Sequence, residues 1–307
     1  MLDFHPLQLE DFPKLRPFFG NSGSRICDTI PGTVFMWRDM YQTEWAVYGG
    51  ALYFKVNYPD LGETFTLPMG GDRKEHFRQI AAYCCRRNMP IAFYPVPKDE
   101  LEGLQEFFPN SAALAERDGF DYLYRAEDLK YFKGKKLSGQ RNHVNKFLKT
   151  YGTWSFRTIT PQDIPNVKAF LDRYTSRRDK AAASFHEDIA KTHEVLDNLH
   201  TYDMLGGMLL VEDAIVGFSL GEVVGDTLFT HIEKADRGYQ GCYQMLVAQF
   251  AQQFAQEGVE FINREDDAGD PGLRTSKLSY HPVDLLEKYT VTIEEPCSCP
   301  LLQTCRS

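Results

Sequence analysis

The chain has 307 residues, of which 43% are hydrophobic and 25% are charged, and its formal net charge is -9. This length suits two domains of ordinary size, and the apolar share is enough for two hydrophobic cores. The acidic balance argues against binding duplex DNA over a broad surface, because phosphate contacts need a large basic face. No apolar run approaches the roughly 20 residues that cross a bilayer, and the N-terminus lacks a signal-peptide pattern. We therefore expect a cytoplasmic protein without a membrane span.

The first half alternates between strand-like and helix-like segments. Gly49 and Gly50 separate two strand-like runs, EWAVYG and ALYFKVNY, in the manner of a tight hairpin. Asp72 is placed to start an amphipathic helix that runs to about residue 88. A buried strand, PIAFYPV, follows that helix.

The second half repeats this plan with different residues. Three strand candidates lie between residues 204 and 236 and are joined by short acidic turns. A long helix and the strand VEFINRED follow them. Hairpin strands, a glycine-led helix and then a buried strand predict a mixed α/β sheet in each half. We therefore expect an N-terminal domain over 1–150, a C-terminal domain over 151–296 and a tail over 297–307.

The seven cysteines are scattered along the chain. An odd number without a secretion signal predicts reduced thiols rather than a disulfide framework. Cys297, Cys299 and Cys305 lie in the tail, where their spacing lacks the paired pattern of a structural zinc site. We predict no bound metal.

A basic segment, LKYFKGKKLSGQRNHVNKFLKTYG at residues 129–152, stands out in this acidic chain. One interpretation is an exposed helix with a solvated positive face. The other is an anion site, because an arginine can bind a carboxylate or phosphate through two bonds and asparagine amides both donate and accept. Under the second interpretation, a groove between the two halves binds the substrate. The substrate-binding candidates in it are Lys136, Arg141, Asn142 and Asn145.

A polar cluster follows the predicted strand that ends at Asn263, in the segment INREDDAGDPGLRTSKLSY. Open α/β sheets bind ligands at the carboxyl ends of buried strands. The cluster adds four substrate-binding candidates: Asn263, Arg264, Arg274 and Lys277. The alternative is a solvated acidic loop that caps the next helix.

Two of these segments carry a family resemblance. GKKLSGQRNHVNKF together with INREDDAGDPGLRTSKLSYHPVDLLEKY resembles an uncharacterised bacterial family. That family is allied to the C-terminal domain of phosphatidylglycerol lysyltransferase and, more distantly, to Fem-type peptidoglycan aminoacyltransferases. The resemblance covers all but about the last dozen residues. It implies an α/β (α+β) chain of two tandem GNAT-like (acyl-CoA N-acyltransferase) domains with mixed, mainly antiparallel central sheets.

The resemblance also implies where a donor and a base would lie. In GNAT-like folds the turn before a long helix holds the donor's pyrophosphate through free amides and the helix dipole. Here that turn is ADRGYQGCYQML, and its donor-binding candidates are Arg237, Gly238, Gly241 and Cys242. The alternative is an ordinary glycine-containing helix entry, which Gln240 favours because it replaces the middle glycine. The first half has no such loop, so we expect it to bind no donor.

An attacking amine must lose a proton, so the resemblance also requires a base. Asp266 and Asp267 are the first candidates for it, with Glu233 and His231 in reserve. Tyr280 falls where many GNAT-like enzymes carry a tyrosine that protonates the leaving group.

Two functions follow as hypotheses. The first is an N-acyltransferase or aminoacyltransferase that moves an acyl group from a coenzyme A thioester or an aminoacyl-tRNA to an amine. No cofactor would be bound permanently, and coenzyme A would enter only as a donor substrate. The second is a non-catalytic module that holds a small anionic molecule or a peptide between the two halves. The sequence does not indicate the oligomeric state.

Overall fold

The computed structural model describes residues 1–21, 23–176 and 183–294 of the chain. Two compact units are present in the described part of the chain: Met1–Asp121 together with residues 286–294, and Tyr122–Leu285. The division therefore lies at 121/122 rather than at 150/151, and the last strand belongs to the first unit. The tail over 297–307, with Cys297, Cys299 and Cys305, lies outside the described residues. Among the helices of the described part, none is both long enough and apolar enough to cross a membrane.

The first unit is built on a seven-stranded sheet in the order β1-β2-β3-β4-β5-β14-β6. Its strands are β1 His5–Pro6, β2 Glu44–Tyr48, β3 Ala51–Tyr58, β4 Gly62–Phe65, β5 Ile91–Pro97, β6 Ala112–Ala115 and β14 Lys288–Ile293. Its helices are α1 Phe12–Leu15, α2 Pro31–Met36, α3 Arg73–Arg87 and α4 Lys98–Phe107. Short 3-10 helices lie at Leu9–Asp11, Arg16–Asn21, Cys27–Thr29 and Arg117–Gly119.

The second sheet also has seven strands, in the order β13-β7-β12-β11-β10-β9-β8. They are β7 Asp121–Arg125, β8 Trp154–Thr158, β9 Leu205–Val211, β10 Ala214–Val224, β11 Thr227–Ala235, β12 Phe261–Asn263 and β13 Asp284–Leu286. The helices are α5 Ala126–Tyr131, α6 Ser138–Thr150, α7 Ile164–Ser176, α8 Ala183–Asp197, α9 Cys242–Phe254 and α10 Pro271–Leu278. A 3-10 helix at Pro161–Asp163 precedes α7.

Local sequence signals account for several of these boundaries. Gly49 and Gly50 both have positive φ and join β2 to β3, which confirms the predicted hairpin. The side chain of Asp72 accepts hydrogen bonds from the amides of Lys74 (2.8 Å) and Glu75 (3.3 Å) and so caps α3. The predicted helix at this position is confirmed.

The two sheets share one plan. In the first, β2, β3 and β4 are antiparallel neighbours, and β5 then pairs parallel to β4. In the second, β9, β10 and β11 are antiparallel neighbours, and β12 pairs parallel to β11. This observation confirms the predicted repetition of pattern and the mixed, mainly antiparallel sheets.

Each sheet also contains a strand that is distant in sequence from its neighbours. The strand β14, near the end of the chain, lies between β5 and β6 of the first sheet. The strand β7 pairs antiparallel with β12 of the second sheet, although it precedes β12 by more than a hundred residues. Residues 122–150 therefore belong to the second unit because β7 carries them into its sheet.

The cysteines are expected to be reduced, and one of the described ones is not. Cys27, Cys84 and Cys242 are free and buried, as predicted. Cys85 is disulfide-bonded, so the prediction of reduced thiols is wrong there.

The position of β14 generates a stability prediction. Val291 is fully buried and is in register with Phe93 of β5 and Ala113 of β6. We expect Val291→Asp to destabilise the protein by about 4 kcal/mol or more, because it buries an unpaired carboxylate. Leu114→Asp is the matched control, since Leu114 lies on the neighbouring strand and is 65% exposed. Thermal unfolding followed by circular dichroism measures both, and equal midpoints would show that β14 does not support the core.

Candidate active site

The candidate active site lies where β11 and β12 stop pairing. Their parallel register runs only from Thr227 opposite Phe261 to Phe229 opposite Asn263, whereas β11 continues to Ala235. Beyond Asn263 the chain turns away from β11 through a loop. Polar side chains from both segments occupy this region.

Glu233 and Arg264 form the first interaction of the site. Oε2 of Glu233 accepts hydrogen bonds from Nε (3.1 Å) and one terminal nitrogen (2.6 Å) of Arg264. Its other oxygen, Oε1, has no hydrogen-bond partner among the described residues. Although burial opposes it, the charge of Glu233 raises the pKa of Arg264, which stays a cation.

The other terminal nitrogen of Arg264 is unusual. It is buried and has no hydrogen-bond partner in the described part of the chain, although the residue as a whole is only 7% exposed. A buried donor without an acceptor costs about 1–3 kcal/mol. An oxygen atom that reached this nitrogen would satisfy it.

Tyr280 completes this group. The guanidinium carbon of Arg264 lies 4.5 Å from the centroid of the Tyr280 ring, and Tyr280 itself is 2% exposed. Burial raises the pKa of Tyr280 to about 12. Its hydroxyl is thus protonated at neutral pH, and its role as an acid stays a prediction.

A second group joins His231 to two carboxylates. Its Nδ1 lies 2.8 Å from Oε1 of Glu265, and its Nε2 lies 3.2 Å from Oε1 of Glu222. Burial alone would lower the pKa of His231, but the hydrogen bonds to Glu222 and Glu265 outweigh it and raise the pKa to about 9. His231 is consequently protonated at neutral pH and is unsuited to accept a further proton.

Asp267 is not free to act as a base, because its carboxylate is buried and already hydrogen-bonded. It is fully buried and accepts from the Tyr122 hydroxyl (2.5 Å), the Gly269 amide (3.0 Å) and Arg274 at Nε (2.9 Å) and a terminal nitrogen (2.6 Å). The hydrogen bonds from Arg274 hold the pKa of Asp267 well below its usual range. This geometry favours a positioning role for both Asp267 and Arg274.

The remaining candidates of this segment shape the loop itself. The Lys277 ammonium donates to the main-chain oxygens of Arg264 (2.5 Å) and Asp266, and burial lowers its pKa. Oδ1 of Asn263 accepts from the Glu265 amide at 2.6 Å. Oδ1 of Asp266 accepts from the Ala268 amide at 2.9 Å. These contacts bring the whole predicted cluster together and hold its main chain in place.

Two amides of the predicted donor loop are already engaged with side chains. The Gly238 amide donates to Oδ1 of Asp236 (2.8 Å), and the Gln240 amide donates to the Tyr151 hydroxyl (3.1 Å). The Cys242 thiol is buried and donates to the Val216 carbonyl (3.3 Å), and burial raises its pKa to about 12. Arg237 is exposed. This arrangement fits a closed helix entry better than a pyrophosphate cradle.

Gly241 is needed in this loop for packing. It has a φ of +80°, and an added Cβ would lie 2.2 Å from the main-chain oxygen of His143 in α6. The helix α6 thus lies directly against the start of α9. A phosphate would have to share this space with α6.

The basic segment lies within the second unit and not at the division between units. Arg141 donates to the main-chain oxygens of Phe132 and Gly134, so part of its guanidinium group holds the preceding loop. Lys136 pairs with Asp128 at 2.8 Å, and Asn142 and Asn145 are exposed. Binding of an anion by these four residues stays a prediction.

Sequence reasoning missed Glu222. It lies in the strand-like run GFSLGEVVG and is 3% exposed. A single acidic residue in an otherwise apolar strand is the signal that could have found it, since carboxylates are rarely buried without a partner. Its partner, His231, lies on the neighbouring strand.

The Gly241 contact generates a second prediction. We expect Gly241→Ala to destabilise the protein by about 3 kcal/mol or more, because the new Cβ meets the His143 carbonyl. Gly258→Ala is the matched control, since Gly258 also has a positive φ, +88°, but has open space around it. The control should lose only about 1 kcal/mol. Urea unfolding of both variants tests this, and similar losses would show that α6 is not packed against the loop.

The His231 group generates a third prediction, on pH. The pKa of His231 is raised from 6.5 to about 9 in the folded protein, so its ion pairs contribute fully below pH 6.5 and are lost as the pH rises towards 9. The normal protein should therefore have a larger free energy of unfolding than His231→Gln. This difference should be greatest near pH 6 and smallest above pH 9. A difference that does not change with pH would contradict the ion pairing.

Comparison with known proteins places these features in a family. An uncharacterised protein of Mycoplasmoides gallisepticum is 23% identical over 199 residues, and the match spans 64% of the length of each protein. A solved structure of a protein of unknown function from Bacteroides thetaiotaomicron is 31% identical, with a TM-score of 0.88 over 95% of this chain and 100% of the other.

Two more distant structures share the fold. The structure of L-PGS from Bacillus licheniformis has a TM-score of 0.65 at 15% identity, over 95% of this chain and 96% of the other. The structure of FemX has a TM-score of 0.63 at 11% identity, over 99% of this chain and 100% of the other. The family model "Phosphatidylglycerol lysyltransferase, C-terminal" matches residues 22–292. The chain therefore belongs to the phosphatidylglycerol lysyltransferase C-terminal family and shares the α+β fold of these structures.

Proposed function

We propose that the protein is an aminoacyltransferase whose second unit moves an aminoacyl group from aminoacyl-tRNA to an amine. One observation carries this proposal. At the point where β11 and β12 part, a buried guanidinium nitrogen without a partner lies beside a carboxylate that has one oxygen free. Acyl transfer needs both a donor for the developing oxyanion and an acceptor for the amine proton.

Arg264 is suited to the oxyanion. As the amine attacks the ester carbonyl, negative charge develops on the carbonyl oxygen. The unpartnered nitrogen of Arg264 can donate to that oxygen in a site shielded from water, where such a bond is strongest. The other two nitrogens keep Arg264 in place through Glu233.

Glu233 is suited to accept the proton. Its side chain is 15% exposed, so Oε1 is within reach of a bound acceptor. In the transfer a C–N bond forms, the ester C–O bond to the ribose breaks and the amine proton passes to Glu233. The ribose oxygen then takes a proton, for which the Tyr280 hydroxyl is the nearest acid in this proposal. Asp266 and Asp267 shape the loop instead.

The choice of donor rests on the closed helix entry and on charge. Two of the amides in the predicted donor loop, those of Gly238 and Gln240, donate to Asp236 and Tyr151 instead of being free for a pyrophosphate. The basic segment, in contrast, presents four exposed lysines that form no ion pair within the described residues: Lys133, Lys135, Lys146 and Lys149. Such a surface suits the phosphates of an RNA. The name of the family, which is that of a lysyltransferase, supports an aminoacyl group as the cargo.

The rival function is the non-catalytic binding module. It is favoured by the ion pairing of the site, since Glu233, Asp267 and His231 all have charged partners. Turnover distinguishes the two functions. A module would bind its ligand and release it unchanged.

Kinetics of variants tests the proposal. Total tRNA is charged with labelled amino acids, and the protein is added with a pool of small amines. We expect protein-dependent transfer, reduced about 10²-fold or more by Glu233→Gln and by Arg264→Lys. Arg125→Lys is the control, because Arg125 also lies over an aromatic ring, Phe261, but is 56% exposed. It should transfer at the normal rate.

Two results would overturn the proposal. Transfer from acetyl-coenzyme A without transfer from tRNA would assign the other donor. Retention of bound ligand without turnover, in the normal protein and the variants alike, would assign the binding module.

A further inference from the structure

The first unit contains a buried cluster that the proposed transfer does not use. The Lys288 ammonium of β14 lies 2.7 Å from Oδ1 of Asp121 and also contacts Oδ2 of Asp28. The Cys27 thiol lies 3.5 Å from the same ammonium and 3.2 Å from Oδ1 of Asp121. The exposed fractions are 0% for Lys288 and Asp121 and 3% for Cys27.

Lys288 already supplies the positive charge of this cluster. Cys27, Asp28 and Asp121 have the ligand types of a metal site, but the ammonium contacts all three of them, lies where a metal cation would lie and offsets one of the two carboxylate charges. The two carboxylates therefore explain the buried lysine. The carboxylates do not, however, account for the Cys27 thiol. This thiol is a nucleophile, and it lies beside the Lys288 amine, which is a nucleophile when deprotonated.

We propose that Cys27 and Lys288 form a site of reversible oxidative cross-linking, with hydrogen peroxide as the oxidant. Three features of the geometry support it. The sulfur and nitrogen atoms are already in contact, and a carboxylate lies beside each of them to accept a proton. Asp28, whose side chain is 20% exposed, opens the cluster to solvent on one side, and peroxide is close to water in size.

The chemistry balances in two steps. Peroxide oxidises the Cys27 thiol to a sulfenic acid: one peroxide oxygen joins sulfur and the other leaves as water. The Lys288 ammonium gives a proton to Asp28 or Asp121, and the free amine attacks the sulfur. A sulfur–nitrogen bond forms, the sulfur–oxygen bond breaks and a second water leaves. The sum is thiol plus amine plus peroxide giving a sulfenamide and two waters.

The cross-link would join distant parts of the first unit. Cys27 and Lys288 are 261 positions apart in the sequence, and Lys288 begins the strand between β5 and β6. A covalent bond there restricts the unfolded chain much as a disulfide does. Thiol reductants would cleave it and restore both side chains, so the bond would respond to the redox state.

Mass spectrometry of the full chain tests this inference. The protein is treated with hydrogen peroxide, its free thiols are alkylated after unfolding, and tryptic peptides are sequenced. We expect a peptide pair that joins Cys27 to Lys288, with a mass two hydrogens below the sum of the two peptides. The pair should disappear after reduction with dithiothreitol and should be absent from Cys27→Ser, which also loses the rise in melting temperature that peroxide causes.

Cys242 is an internal control in the same sample. It is a buried free thiol whose hydrogen-bond partner is a carbonyl rather than an amine, so it should be recovered alkylated and not linked. Oxygen added to Cys27 without a link would overturn the proposal, as would an unchanged Cys27 under conditions that oxidise a small thiol. A linked pair that retains an oxygen atom would overturn the condensation step.

Discussion

The ion pair between Glu233 and Arg264 is the interaction on which the candidate site depends. Two strands that pair in parallel for three residues then diverge, and polar side chains of both segments meet beyond that point. The charged pair fills this space, bonds across it at 2.6 Å and leaves one nitrogen without a partner. The same pair thus holds the buried guanidinium on which the proposed transfer depends.

The loop that follows β12 is held by groups of opposite kinds. The carboxylate of Asp267 receives donors from Tyr122, Arg274 and a main-chain amide. The ammonium of Lys277 does the reverse and donates to main-chain oxygens of the same loop. These contacts hold the main chain around Arg264 in place.

Two buried lysines show how the surroundings set the role of one residue type. Lys277 is surrounded by carbonyl oxygens, and burial lowers its pKa. Lys288 faces two carboxylates and a thiol. The first ammonium therefore organises main chain, whereas the second neutralises charge and lies beside a nucleophile. Neither lysine could be assigned to its role from the sequence, because lysines are usually solvated.

The sequence by itself determined the local elements, the repeated plan of hairpin strands, glycine-led helix and buried strand, and the membership of the polar cluster after Asn263. These follow from hydrophobic periodicity and caps, which act over a few residues. Only the tertiary structure decided that β14 and β7 are inserted between strands far away in the sequence, so that the units divide at 121/122.

Only the tertiary structure, too, decided which charges are free. Asp267 and Glu233 are both acidic residues that the sequence does not distinguish. Both carboxylate oxygens of Asp267 accept hydrogen bonds, whereas only one oxygen of Glu233 does so among the described residues. Arg141 and Arg264 differ in the same way: Arg141 holds main-chain oxygens, and Arg264 keeps an unpartnered nitrogen in a buried site. The physical reason is that hydrogen-bond partners and burial are set by residues brought together in three dimensions. A pattern of residue types contains no record of them.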